Sequence, residues 1–193
     1  MHGRTKHPGL ARRLLGAAAA TVIALAAAAP AALATTGFQE SFSGDYAFSH
    51  EDCGWTVDVE GSFSGEFFVR VGKGDLESAF FGHQTLAWTE VHVRRDTGVT
   101  IVISSHTVFQ ETKATHIEDN VFRFDSVTAG AQLIVRDGSG TLLLMDRGSV
   151  HDSLIFDTLG DATPGGIFIE EVDFRLAGKY PSAVTDYCSL FNG

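Results

Sequence analysis

Runs of alternating apolar and polar residues recur along this chain and constrain its fold more than any other feature. Successive side chains of a strand point to opposite faces, so a period of two predicts a strand with one face buried. After residue 34, no segment repeats apolar residues at helical spacing over three turns. We therefore expect an all-β domain of about eight strands. The predicted runs cover residues 55–60, 62–71, 86–95, 99–113, 121–128, 132–136, 141–145, 150–158 and 167–176.

Short turns join several of these runs as neighbours. Residues 96–98, 118–120 and 137–140 are rich in Asp, Asn and Gly, which favour tight connections between strands. Successive hairpins indicate an antiparallel up-and-down arrangement. Long strands without helices favour a single closed β-barrel, with a β-sandwich as the alternative, because closure removes exposed sheet edges.

The first 34 residues have the features of a secretory signal peptide. Four basic residues precede an apolar, alanine-rich run that ends at Pro30, and Ala32-Leu33-Ala34 is a small-x-small cleavage site. The run is shorter than the roughly 20 residues of a spanning helix. We therefore expect residues 1–34 to be a leader and residues 35–193 to be one secreted domain, with no membrane span in the mature chain.

The charge of the predicted mature chain limits its partners. The full chain carries a net charge of −10, and the leader holds four basic residues and no acid, which leaves −14 for residues 35–193. Such a chain repels nucleic-acid phosphates. We expect no nucleic-acid partner and, at most, a neutral or cationic one.

Cys53 and Cys188 are the only cysteines. An isolated pair in an exported chain predicts a disulfide. A redox or metal-thiolate role would favour the short Cys-x-x-Cys spacing, which is absent.

Hairpin registers can be worked out from the turns. If Arg95 pairs with Val99 across the turn at 96–98, the two strands are fixed relative to each other. Trp88 then lies opposite His106 and Glu90 opposite Ser104, with His92 on the same face; these five residues form the predicted ligand-binding site.

The chemistry of that face suggests a role. A carboxylate and an imidazole a few ångströms apart can exchange protons with a substrate near neutral pH, so Glu90 and His106 are the catalytic candidates. Trp88 would form an aromatic wall for an apolar ligand. The alternative is that this face is the solvated exterior.

A second register concerns the next hairpin. Pairing Ile117 with Val121 places Lys113 opposite Asp125, a favourable charge pair. In this register, the even-numbered residues near the end of the first strand lie opposite aromatic residues of the second. Nearer the start of the first strand, the odd-numbered residues are the apolar ones. Either a bulge within 104–111 switches the faces, or both faces are partly buried there.

Other motifs carry less information. The loop 157–166 offers oxygen ligands of the kind that Ca²⁺ binds, but its spacing is not that of an EF-hand, and a turn-rich connection is the simpler interpretation. The histidines are scattered and form no metal-binding pattern. The sequence indicates no metal site and no cofactor.

Four short motifs give the chain a resemblance to uncharacterised exported proteins of actinobacteria. They are Cys53-Gly54, Asp146-Arg147-Gly148, Phe156-Asp157-Thr158 and Tyr187-Cys188. The resemblance implies an exported, disulfide-tied β domain and no known activity. In architecture the expected barrel is similar to lipocalins, dirigent proteins and allene oxide cyclases, a likeness that implies fold alone.

We therefore expect a binding role for a small apolar molecule. The aromatic residues expected in a lumen or core are Phe63, Phe67, Trp88, Phe122, Phe124 and Phe174. The alternatives are an enzyme of the barrel-cyclase or isomerase type, and an envelope or inhibitory protein that acts through its surface.

Overall fold

Seven strands form one antiparallel sheet in which each strand pairs with the next along the chain. The computed structural model describes residues 37–161 and 164–191; the predicted leader lies outside them. Helical structure in this part is limited to short 3-10 turns, so the all-β, up-and-down prediction is confirmed. None of the described helices is long and apolar enough to cross a membrane. The strands are β1 (Phe38–Asp52), β2 (Trp55–Val71), β3 (Phe80–Arg94), β4 (Thr100–Glu118), β5 (Val121–Asp137), β6 (Leu142–Asp157) and β7 (Ile167–Lys179).

The strand count differs from the sequence prediction because three pairs of predicted runs are single strands. Glycines at 61, 130 and 148 interrupt the alternating pattern inside β2, β5 and β6 without ending the strand. β1 was not predicted at all. In the described residues β1 and β7 have a strand partner on one side only, so the sheet is not closed into a barrel.

One side of the sheet, which we call the inner face, carries the buried residues. It includes Glu90 of β3, Ile103 of β4, Val135 of β5 and Leu144 of β6. Each of these residues lies directly opposite the next one on the neighbouring strand. Ile103 and Val135 are completely buried. Since the described chain contains no second sheet and no long helix to cover them, the sheet must curl around its own inner face.

Two apolar clusters close the two ends of this face. The first cluster combines strand residues with Phe191 from the C-terminal segment 180–191, which we call the strap; Trp55, Trp88 and Tyr187 pack against it. The second cluster is formed by Ala79, Phe81, Ala114, Phe122 and Phe124, with Leu76 from the β2–β3 connection and Phe156 at its margin.

Irregular backbone accompanies the curling. Gly130, Gly148 and Gly178 are directly opposite one another on β5, β6 and β7, and each has a positive φ. A Cβ on Gly148 would overlap the carbonyl oxygen of Ala177, so the three strands approach one another there in a way that only glycine permits. Register shifts occur in the β4–β5, β5–β6 and β6–β7 pairings, where bulges increase bend and twist.

A disulfide fixes the strap across one end of the sheet. Cys53, in the β1–β2 turn, is bonded to Cys188 in the strap, with 5.6 Å between their Cα atoms, which confirms the predicted pairing. Near the start of the strap, the buried Ser182 donates its backbone N–H to the Asp146 carboxylate on β6 over 3.1 Å. The strap therefore runs from the β6 side of the sheet to the β1–β2 turn.

Candidate functional site

The β3–β4 hairpin differs from its predicted register by one residue. Arg94, not Arg95, closes the ladder with Val99, through a 2.9 Å hydrogen bond from its backbone N–H. Arg95 donates its own backbone N–H to Thr56 of β2, and its guanidinium binds Asp58 on that strand. The prediction was wrong because contacts with a third strand draw Arg95 out of the hairpin.

This shift divides the predicted site between the two faces of the sheet. Trp88, Glu90 and His92 lie on the inner face, where Trp88 is opposite Ser105. Ser104 and His106 point to the outer face, so the predicted meeting of Glu90 with His106 does not occur. His106 instead lines an open depression of about 500 Å³ on the outer side, together with Ser41, Ser43, Ser64, Thr85 and Ala87.

The glutamate and histidine on the inner face belong to a chain of four hydrogen-bonded side chains. Tyr46 of β1 donates its hydroxyl to Glu90 Oε1 over 2.5 Å. The other oxygen, Oε2, is 2.8 Å from His92 Nε2. The second ring nitrogen, Nδ1, is 2.7 Å from the hydroxyl of Tyr187 in the strap. The chain therefore links β1, β3 and the strap.

Electrostatics assign the protons in this chain. Burial opposes ionisation of Glu90, but hydrogen bonds from His92 and Tyr46 outweigh it and hold the Glu90 pKa below its ordinary value. Burial raises the pKa of both Tyr46 and Tyr187, with the Glu90 charge as a further cause. Glu90 is thus an ionised acceptor at neutral pH. With His92 donating from Nε2, its Nδ1 accepts from Tyr187.

These four hydrogen-bonded side chains hold the strap in place, and their polar groups are not available to react with a substrate. Each of their polar atoms is engaged, and His92 is only 5% exposed. A general base needs a lone pair within reach of substrate. In this arrangement the lone pair of His92 Nδ1 is occupied by the Tyr187 hydroxyl.

The middle of the inner face, between the two apolar clusters, is lined with polar side chains. Gln84, Ser105, Thr107 and Ser126 are buried there, on β3, β4 and β5. Two carboxylic acids flank Ser126: Glu111 is its partner on β4, and Asp152 is its partner on β6.

Both of these carboxyl groups have perturbed acidity. Burial raises the pKa of Glu111 to about 7, although its Oε2 accepts a 2.5 Å hydrogen bond from the backbone N–H of Gly82. Burial and the nearby charge of Glu171 raise the pKa of Asp152 to about 6. Perturbed acids that share one face are a recurrent feature of functional sites.

Sequence reasoning missed Glu111 because the face of β4 changes directly after it. The β4–β5 register shifts between Glu111 and Lys113, so odd-numbered residues point inward up to Glu111 and even-numbered Ala114 points inward beyond it. The bulge that switches the faces thus lies just past the predicted interval of 104–111. The predicted pairing of Lys113 with Asp125 is correct. Continuing the odd-numbered alternation from Ile103 would have identified Glu111.

The predicted aromatic lining is only partly internal. Phe122 and Phe124 are buried in the second cluster, whereas Phe63 and Phe67 are half-buried on the inner face. Phe174, on the edge strand β7, is 48% exposed, so it is not a core residue.

The remaining motifs have local roles. In the loop 157–166, Asp157 Oδ1 accepts the backbone N–H of Leu159 over 2.8 Å, as in the predicted turn; residues 162 and 163 lie outside the described chain. Among the described residues, one group of three potential ligand side chains lies close enough for a metal, Asp52 with Cys53 and Cys188, but both sulfurs are in the disulfide.

Comparison with known proteins adds no further assignment. No family model, curated protein or solved structure matches this chain. The resemblance to exported actinobacterial proteins stays a prediction that rests on its four short motifs.

Proposed function

We propose that this protein binds a small molecule with an apolar body on the inner face of its sheet. The observation that carries the proposal is the exposure of aromatic side chains on that face near both edges. Phe48 of β1 is 49% exposed, and Phe168 and Phe174 of β7 are 50% and 48% exposed. Exposed aromatic side chains that share one face of a sheet favour a binding site on that face.

The two ends of the inner face define where such a ligand would lie. The strap and the first cluster cover one end, and the second cluster covers the other. The ligand therefore belongs in the middle, between the aromatic edges. Trp88 adjoins this region, packed against the first cluster beside half-buried Phe63, its direct partner on β2.

We also propose that the sheet closes into a barrel by pairing β1 with β7 when the site is occupied. Both edges expose unpaired backbone groups, which are hazardous unless covered. The disulfide already ties the strap, which follows β7, to the turn that follows β1. Closure would place Phe48 and Phe174 on neighbouring strands, with both side chains facing one lumen. Hydrogen exchange should then slow along β1 and β7 on ligand addition.

We also propose that the protein is exported. The leader motif predicts export, and a disulfide is compatible with an oxidising compartment. A catalytic role for Glu90 with His106 has no geometric support, because these side chains point to opposite faces of the sheet.

A second candidate function is binding of another protein through β7. All 13 residues of this edge strand are exposed, among them Ile167, Ile169 and Val172. Such an edge can accept a strand from a partner. In that case exchange protection would depend on a protein partner and not on a small molecule.

Tryptophan fluorescence tests the binding proposal. In a Trp55→Phe background, Trp88 reports titration with 1-decanol. We expect Phe174→Ser to weaken decanol binding at least about fivefold, because the variant loses the apolar contact between the phenylalanine ring and the bound alkyl chain. Phe68→Ser, which alters a similarly exposed residue on the outer face, should leave binding unchanged. Absence of decanol binding, or equal weakening by both variants, would contradict the proposal.

A further inference from the structure

Three side chains in the middle of the inner face form one row across neighbouring strands. Glu111 on β4 is opposite Ser126 on β5, and Ser126 is opposite Asp152 on β6. Directly opposite partners project from the same face of a sheet. Backbones of adjacent strands lie about 4.8 Å apart, so the two acids flank the serine at a backbone separation of about 10 Å.

The serine in this row has an unsatisfied hydroxyl. Ser126 is 6% exposed, and its Oγ is buried without a hydrogen-bond partner. A buried hydroxyl without a partner destabilises a folded protein relative to a hydrogen-bonded one. Most buried polar groups in folded proteins have a partner, so this one calls for an explanation.

The acids also lack a lysine or arginine partner. In the described part of the chain, neither Glu111 nor Asp152 has a Lys or Arg nitrogen within 4 Å, and every arginine ion pair lies elsewhere. The row therefore combines negative charge, burial and a free acceptor. An anionic ligand would be repelled from it.

Two kinds of cation remain, a metal ion and an organic ammonium group. Glu111 and Asp152 belong to no described group of three His, Cys, Asp or Glu side chains that could hold a metal ion. A primary ammonium group has three N–H donors that diverge. Those donors match two carboxylates and one hydroxyl set in a row.

We infer that Glu111, Ser126 and Asp152 bind the primary ammonium group of an amine whose apolar body lies on the inner face. This inference rests on the proposed function and specifies its ligand class. The flanking aromatic residues fit the apolar body, since Phe174 is the direct partner of Asp152 on β7 and Phe109 lies two residues before Glu111 on β4. The chain's negative charge favours the approach of such a ligand.

The site should strengthen as pH rises. Glu111 and Asp152 must be ionised to bind an ammonium group, and their raised pKa values place that ionisation between pH 6 and 7. The groups that face them are the Gly82 backbone N–H from β3, Ser126 from β5 and Glu171 from β7; His151 is adjacent to Asp152 in the chain. A primary alkylamine stays protonated across this interval, as lysine does.

The test compares two ligands that differ only in the head group. We expect decylamine to bind at least about tenfold more tightly than decanol at pH 8, because charge-assisted hydrogen bonds replace neutral ones. At pH 5 this preference should shrink to about threefold or less, as the acids become protonated. Calorimetric titration of the full mature chain measures both.

Variants identify the row as the cause. Glu111→Gln/Asp152→Asn should abolish the preference for decylamine and leave decanol binding intact, and Ser126→Ala should reduce the preference. The control Asp58→Asn/Glu60→Gln removes the same charge from the outer face and should retain the preference.

The outcomes separate this inference from the proposed function. Decanol binding without a preference for decylamine, or a preference that the control also loses, overturns the ammonium site and leaves the binding proposal standing. Failure of both ligands to bind overturns both. If the double variant does not fold, the pH dependence of the preference in the unaltered chain decides the question.

Discussion

Removing the Cys53–Cys188 bond should cost much of the stability of this domain. The bond joins residues 135 positions apart. In the chain-entropy model, opening a loop of this length gives the unfolded chain freedom that corresponds to about 5 kcal/mol. Domains are commonly stable by about 5–15 kcal/mol. We expect Cys53→Ser/Cys188→Ser to lose about 3–5 kcal/mol of unfolding free energy, the lower figure allowing for residual structure in the unfolded chain.

The strap has a second anchor, which allows a sharper test. Phe191 is 2% exposed in the first cluster, and its ring lies 5.3 Å from that of Tyr187. Phe191→Ala should cost about 3–5 kcal/mol while the disulfide is present. Without the disulfide the strap can detach as a unit, so Phe191→Ala should then cost at least about 1 kcal/mol less, a coupling typical of residues that act together.

Urea unfolding followed by tryptophan fluorescence measures these energies. Trp55 and Trp88 both pack against the first cluster and therefore report its opening. Val184→Ser is the control, because Val184 lies in the strap but is 89% exposed, and it should change stability by less than about 0.5 kcal/mol. Strict additivity of the two perturbations, or a loss below about 1 kcal/mol for the cysteine variant, would refute the role assigned to the strap.

Three further predictions concern the inner face. Glu90→Gln should make the free energy of unfolding less dependent on pH in the acid range, which acid unfolding followed by circular dichroism measures. The lowered pKa of Glu90 means that its ionised form stabilises the folded protein; this contribution is complete above about pH 5 and is lost as the pH falls through the pKa of the folded state. Glu111→Gln should raise the free energy of unfolding by about 2–3 kcal/mol relative to the parent at pH 8 and leave it almost unchanged at pH 4. The reason is that the pKa of Glu111 is raised to about 7, so its ionisation opposes folding as the pH rises above about 4.5. Urea titrations at both pH values check this. Gly148→Ala should lower the melting temperature by an amount equivalent to about 2 kcal/mol or more, while Gly138→Ala, whose Cβ would meet only ordinary contacts, should cost less than about 1 kcal/mol.

Much of the fold could be predicted because alternation is a local property. Each run of alternating residues forms part of a strand, and the turns join neighbouring strands. What failed was the exact offset between β3 and β4, whereas the predicted pairing of Lys113 with Asp125 between β4 and β5 is correct. The position of Arg95 depends on Thr56 and Asp58 of β2, which a pattern confined to β3 and β4 does not contain.

The candidate site was predictable to the same extent. Glu90 and His92 lie two positions apart, so a period of two places them on one face, and the structure brings them into contact. Their other partners, Tyr46 and Tyr187, are 44 and 95 residues away from them in sequence. Only the curling of the sheet and the path of the strap bring those hydroxyls near.

The strap also imposes an order on folding. Hairpins between consecutive strands have low contact order, so β1 to β7 can pair one after another as local segments become available. Phe191 reverses this pattern, because it completes a cluster that contains Val57 of the first hairpin. Until that late segment arrives, one end of the inner face lacks its cover, and its apolar side chains are accessible to other chains. The interval before the strap docks is therefore when the nascent domain is most vulnerable to misassembly, and it ends only when opposite ends of the domain meet.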